Sequence, residues 1–198
     1  MSLAPDPSDG KRTYALVAYI PGPLGDFLDQ LRASLSAGKA AAGRAHVTLL
    51  PPRRLAGDPQ SIAAMLRSQA KAMIALEIEA GAIATFAATN VVYLEIGQGH
   101  EALHHMHAVF SANGAGFREP YEYHPHITLA IGLETAEVEQ VKQRAQRRWS
   151  GFQGHRRFPV QELHLIENTI DNEWIEIARI TLSAPGDPCA GAARNQPG

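Results

Sequence analysis

Ala45-His46-Val47-Thr48-Leu49 and Pro125-His126-Ile127-Thr128-Leu129 are nearly the same short string written twice, 80 residues apart. In each, apolar residues alternate with a histidine and a threonine, which is the period of a β-strand with one polar and one apolar face. Residues i and i+2 of a strand point the same way. Each string therefore sets an imidazole beside a hydroxyl, while Val47, Leu49, Ile127 and Leu129 turn into a core. One His-x-Thr strand reads more readily as a core or surface histidine than as a catalyst. Two in matched surroundings describe halves of one site. An imidazole titrates at about pH 6.5, so two of them facing one ligand make a general acid and a general base.

Working outward, residues 13–20 (TYALVAYI) read as a strand closed by Pro21-Gly22-Pro23, and Phe27, Leu28, Leu31 and Leu35 mark the helix that follows. Pro51-Pro52 are expected to stop the first His-x-Thr strand. Asp58-Pro59 opens a second helix in the N-cap and N1 pattern, running to about Met73. Strands are expected at 75–80, 90–96, 123–130, 160–166 and 173–182, with helices at 101–111 and 135–149. This alternation gives an α+β fold with antiparallel or mixed sheets.

The order of elements repeats. Tyr93-Leu94-Glu95-Ile96 matches Trp174-Ile175-Glu176-Ile177 at an offset of 81, and Glu77-Ile78-Glu79 matches Glu162-Leu163-His164 at 85. Residues 13–182 therefore read as a single bilobal domain of two approximate repeats, 13–97 and 98–182, related by a pseudo-twofold axis across a central cleft. Residues 1–12 and 183–198 are expected to be flexible tails, the second being Pro, Gly and Ala with little to bury.

Composition narrows the classes. At 198 residues and 45% apolar content the chain can form one compact domain or two small lobes. A net charge of -2 gives no global attraction to nucleic acid or acidic lipid, so an anionic ligand must be held by a local cluster. The one cysteine, Cys189, excludes an internal disulfide framework and suits a reducing compartment. MSLAPDPSDG carries no secretory apolar run, and no window approaches the roughly 18 apolar residues of a membrane span. The expectation is a cytoplasmic monomer with neither a membrane nor a DNA duplex as partner.

With both strings, their flanks HVTLLPP and YHPHITLA, and the order of elements in place, the chain resembles the 2H phosphoesterases over residues 13–182. That group includes bacterial RNA 2′,5′-ligase-like proteins and cyclic nucleotide phosphodiesterases. Its signature is a duplicated apolar-His-x-[Ser/Thr]-apolar string, met here by His46/Thr48 and His126/Thr128. The resemblance implies outer helices around a central cleft, no cofactor, and metal-independent chemistry on a phosphodiester. The substrate it implies is a 2′,3′-cyclic, 1″,2″-cyclic or 2′,5′-linked phosphodiester in a nucleotide or at an RNA end.

The chemistry also follows from the residues. Opening a cyclic phosphodiester in line needs a base for the incoming water and an acid for the departing ribose oxygen, on opposite sides of phosphorus. His46 and His126 supply both, and Thr48 and Thr128 can hydrogen-bond the nonbridging oxygens. Strand parity adds Tyr93, Glu95, Trp174, Glu176, Glu162 and His164 to the cleft face. Tyr93 and Trp174 are candidates to stack a base, against the alternative of core or rim packing. His124 reads as a hydrogen-bonding neighbour of His126. Arg53 and Arg54 are candidate phosphate ligands, against the alternative of a solvated loop.

Three further constellations carry less weight. His124-Pro125-His126 has a metal-like spacing, but Thr128 is a poor third ligand. His100, His104 and His107 fall on one helix face, which reads as an exposed polar face before a chelate. Arg144, Arg147, Arg148, Arg156 and Arg157, interleaved with Trp149 and Phe152, form either an RNA-tracking patch or the outer coat of a helix. Two classes stay open: a hydrolase of cyclic or 2′,5′ phosphodiesters, or a non-catalytic nucleotide or RNA-end binder with the same groove. Ligation of 2′,5′-linked RNA, the reverse reaction, belongs with the first.

Overall fold

The computed structural model describes residues 12–35, 43–112, 119–169 and 173–185. Most of both expected tails, and Cys189 with them, lie outside the described residues. Within them, Ser183 is held in place by backbone bonds to Met73 and Ala75.

The first half of the chain runs β1 (Thr13–Tyr19), α1 (Gly22–Leu35), β2 (His46–Arg53), α2 (Pro59–Ala70) and β3 (Leu76–Phe86). The second runs β4 (Val91–Ile96), α3 (His100–Ala112), β5 (His126–Ala130), α4 (Thr135–Ser150), β6 (Arg157–Val160), β7 (Glu162–Asn168) and β8 (Trp174–Thr181). Asp58 caps α2 as expected, accepting from the backbone N–H of Gln60 and Ser61 with Pro59 behind it. The first turn of α1 passes so close to the end of β1 that a Cβ on Gly25 would meet the Ile20 carbonyl oxygen at 2.0 Å, which only glycine allows.

The strands form two antiparallel four-stranded sheets, ordered β2-β1-β7-β8 and β5-β4-β3-β6. The two His-x-Thr strands are thus edge strands of separate sheets, and they lie against each other. The halves have exchanged a strand: β3 joins the sheet of β4, and β7 joins the sheet of β1. This keeps the equivalence of β3 with β7 but corrects that of β4 with β8, because β4 is central and β8 is an edge. The counterpart of β4 is β1. Tyr93 stands opposite Thr128 and Glu95 opposite His126, as Val17 stands opposite Thr48 and Tyr19 opposite His46.

One continuous core lies on the helix side of both sheets. It contains Leu16 and Ala18 of β1, Ile20 just after it, Leu28 and Leu31 of α1, Leu94 and Ile96 of β4, and the four apolar partners of the motif residues, Val47, Leu49, Ile127 and Leu129. Burying each of those four stabilises by about 1.5 to 3 kcal/mol, which is what holds the alternate His and Thr on the opposite face. That face carries Ala15, Val17 and Ile166, with Tyr19 and Trp174 against them.

The single strand expected at 160–166 is instead two, β6 and β7, and three other boundaries differ from expectation. β2 continues through Pro51 and Pro52 to Arg53, because an edge strand has one side without ladder partners and tolerates the missing N–H. β3 extends to Phe86, past a register shift between Ala80 and Ile83 where Gly81 and Ala82 interrupt the alternation. β5 begins only at His126, since residues 121–125 make no ladder.

Candidate active site

His46 and His126 are built alike. His46 donates from Nδ1 to the carbonyl of Arg44 at 2.7 Å, and His126 from Nδ1 to the carbonyl of His124 at 2.6 Å. A carbonyl accepts only, so Nδ1 carries the hydrogen and the lone pair of each neutral ring is on Nε2. Both rings are half-buried. Burial lowers both below the usual imidazole value, and His46 is lowered further by the nearby charges of Arg32 and of His126 itself.

The segment before His46 is pinned from α1. Asp29 accepts the backbone N–H of Ala45, and Arg32, itself buried and 3.6 Å from Asp29, donates to the Gly43 carbonyl at 2.8 Å. The Arg44 carbonyl that orients His46 thus sits between two fixed points.

Behind His126 the support is a polar and aromatic stack. His124 Nε2 lies 2.9 Å from Glu95 Oε2, and the Tyr93 hydroxyl donates to Glu95 Oε1 at 3.0 Å. Burial first, and Glu95 second, push the Tyr93 hydroxyl up to about 12, so it remains a donor at any working pH. Phe86 covers the face of Tyr93 at 3.9 Å, and both rings meet His126 edge-on. Tyr93 is 5% exposed, which corrects the expectation that it stacks a base: its face is occupied by Phe86.

A third group of residues ties the two motifs together. Tyr123 donates its hydroxyl to the Thr48 carbonyl at 2.9 Å, and His107 Nδ1 donates to the Leu49 carbonyl at 2.7 Å. The two rings stack at 3.8 Å, and Glu119 lies 3.2 Å from His107 Nε2. Glu119 also accepts from Arg53, which is only 2% exposed. Arg53 is thus corrected from a loop cation to a buried ion pair. It stands opposite Tyr14, whose side chain is in the core. Arg54 is exposed just past β2.

On the first sheet, parity holds. Trp174 is half-buried against the Tyr19, Val17 and Ile166 surface, and His164 donates from Nδ1 to Glu176 Oε2 at 2.8 Å. The α3 histidines do not act as one face, because His107 turns to Leu49 while the His100 and His104 rings lie 4.6 Å apart. Among the described residues no group of three His, Cys, Asp or Glu is placed to hold a metal ion. The arginine stretch divides likewise: Arg156 lies over Trp149 at 4.5 Å, Arg157 bonds Glu79 at 3.0 Å, and Arg147 and Arg148 are exposed on α4. Among the described residues no helix is long and apolar enough to cross a membrane.

Sequence reasoning missed Tyr19, Arg44, Asp29, Arg32, Glu119 and Tyr123, and read His107 only as part of a polar or chelating helix face. Tyr19 carried a signal, the odd-number parity it shares with Val17. The others are assembled by contacts between elements distant in sequence.

Comparison with known proteins gives a family and a fold. The model of the 2′-5′ RNA ligase superfamily matches residues 20–172. The sequence finds no match among curated proteins. The fold is that of a crystallised phosphoesterase, with 14% identity, a TM-score of 0.63, and coverage of 87% of this chain and 99% of the other. It is also that of Escherichia coli LigT complexed with 3′-AMP, at 15% identity and TM-score 0.62, covering 86% and 98% of the two chains. Usb1 of Kluyveromyces marxianus is similar at 10% identity and TM-score 0.55, covering 85% and 98%.

Proposed function

The chain belongs to the 2′-5′ RNA ligase superfamily, and from that premise we propose that it is a phosphoesterase that opens a 2′,3′- or 1″,2″-cyclic phosphodiester, or cleaves a 2′,5′ linkage, in a nucleotide or at an RNA end. The observation that carries this reading is the matched tether: two imidazoles, on abutting edge strands, each with Nδ1–H bound to a carbonyl two residues earlier. On this reading the two Nε2 atoms face one ligand. Relatives of the same fold were crystallised with 3′-AMP and with uridine monophosphate, which supports a nucleotide as the ligand.

In the reaction, the neutral imidazole takes a proton from water as its oxygen bonds to phosphorus. The protonated imidazole gives its Nε2 proton to the ribose oxygen as the P–O bond breaks. The pair ends with its protonation reversed and is reset by exchange with solvent. Thr48 and Thr128 donate to the nonbridging oxygens, whose charge grows in the transition state. Trp174 offers an apolar surface for the nucleoside, and His124, fixed by Glu95, positions His126 through its backbone carbonyl.

The test is a panel of 2′,3′-cyclic mononucleotides, RNA with a terminal cyclic phosphate, and 2′,5′-linked dinucleotides, assayed in excess EDTA. Turnover of at least one class is expected. His46→Ala or His126→Ala should each lower it by about 10²-fold or more, with little loss of substrate affinity. Wild-type binding without turnover would instead identify a nucleotide-binding protein, and activity abolished by EDTA and restored by a divalent ion would overturn the two-histidine mechanism.

A further inference from the structure

The two walls of the cleft differ in charge. β3, β4 and β5 contain no lysine or arginine, and the polar groups beside His126 are Glu95 and His124. Beside His46 the arrangement is reversed. Tyr19 stands opposite His46 in the β1–β2 ladder, and its ring lies 4.6 Å from that of His164 and edge-on to His46 at 6.1 Å. The Arg44 guanidinium lies over the Tyr19 ring at 4.6 Å. Arg179 pairs with His164 across the β7–β8 ladder and meets Glu176 through Nε at 2.7 Å, a side-on contact that leaves hydrogens of its terminal NH2 groups for another acceptor. Glu176 also accepts His164 Nδ1, so the hydrogen is placed there and Nε2 is turned away from the carboxylate. Two guanidiniums, Arg44 and Arg179, thus stand on this wall beside Glu176 and Glu162, where the opposite wall has none.

We infer that Tyr19, Arg44, His164 and Arg179 form a second anion subsite, next to His46, that takes a phosphate of the substrate other than the one under attack. The inference rests on the phosphoesterase reading and refines its substrate class. The preferred substrate carries a further phosphate on the nucleoside side of the scissile group, either a 5′-phosphate or the next phosphodiester of an RNA chain. The surface is suited to it: a planar fork and an imidazole orient phosphate oxygens, and Tyr19 holds the Arg44 fork by cation–π contact. The uncharged-to-negative opposite wall disfavours the reverse orientation, so the same charges fix the direction in which the substrate lies.

The experiment compares kcat/KM for adenosine 2′,3′-cyclic phosphate, the same nucleotide bearing a 5′-phosphate, and a dinucleotide ending in the cyclic phosphate. In parallel, calorimetry measures binding of 3′-AMP against adenosine 3′,5′-bisphosphate, which reads the subsite without turnover. Wild type should favour the compounds with a second phosphate by about tenfold or more, the order of one charge-assisted hydrogen bond. In the double variant Arg44→Gln, Arg179→Gln the ratio should fall toward one, while Arg147→Gln on α4 should retain it. Preference for the 5′-phosphate and the dinucleotide alike points to any phosphate at that distance, and preference for the dinucleotide alone points to an RNA end. Equal kcat/KM for all three and equal binding of the two products would overturn the subsite while leaving the phosphoesterase reading intact. No turnover of any of them, with bisphosphate binding still favoured, would overturn that reading and keep the subsite.

Discussion

At His46 and His126 the bond from Nδ1 to a backbone carbonyl decides the tautomer, and burial decides the charge. Both imidazoles are lowered by desolvation from about 6.5, so each is mostly neutral at pH 7. The productive form has one proton shared between the two rings. Its population peaks midway between the two apparent pKa values, and with both lowered that midpoint falls below about pH 6.5. The kcat/KM profile, which reports the free enzyme, should therefore be a bell with its maximum on the acid side of that value. An anionic phosphate between the rings stabilises their protonated forms, so the kcat profile should be displaced to higher pH. A kcat/KM maximum at or above pH 7 would contradict the burial argument. Parity alone placed these two residues, both threonines, Trp174 and His164 on the right face, because the i, i+2 rule is local. It could not see that Tyr93 lies under Phe86, since the end of β3 that carries Phe86 follows a register shift.

Among the elements, β2 is the least self-sufficient. It is an edge strand containing two prolines, and its Thr48 and Leu49 carbonyls are held by Tyr123 and His107 from the other half of the chain. Glu119 joins this arrangement to the buried Arg53. Removing one member of such a pair leaves a buried charge uncompensated, which costs about 3 to 5 kcal/mol. Glu119→Ala should thus lower the denaturant midpoint strongly. Replacing both partners, Arg53→Met with Glu119→Leu, should recover much of the loss, because the buried charge that lost Glu119 is gone. Equal destabilisation by the single and double changes would show that Glu119 acts through some other contact. In the sequence Pro51-Pro52 read as a stop, and that misreading hid Arg53. Carried past the prolines, the buried alternation Val47, Leu49 leads to Arg53 on the core side. The partner Glu119 lies 66 residues further along the chain and had no local signal.

At the scale of the whole molecule, the duplicated motif was legible but the exchange of strands was not, because pairing order is set by contacts between distant segments. The exchange has a thermodynamic consequence. Each sheet takes a central strand from the opposite half, and one core runs under both, so neither half holds a complete sheet of its own. Two lobes built this way should unfold together. The two tryptophans allow a direct check. Trp149 on α4 bonds the Gly81 carbonyl of β3 at 2.9 Å and reports on the second sheet, while Trp174 on β8 reports on the first. In Trp174→Phe only the Trp149 signal remains, and in Trp149→Phe only that of Trp174. Either change can shift overall stability, so each variant is compared with its own far-UV circular dichroism in urea. Coincident midpoints and slopes in both variants are expected. A fluorescence transition that separates from the dichroism in either variant would mean that one sheet survives the loss of the other, and the exchanged strands would then not bind the lobes into a single folding unit.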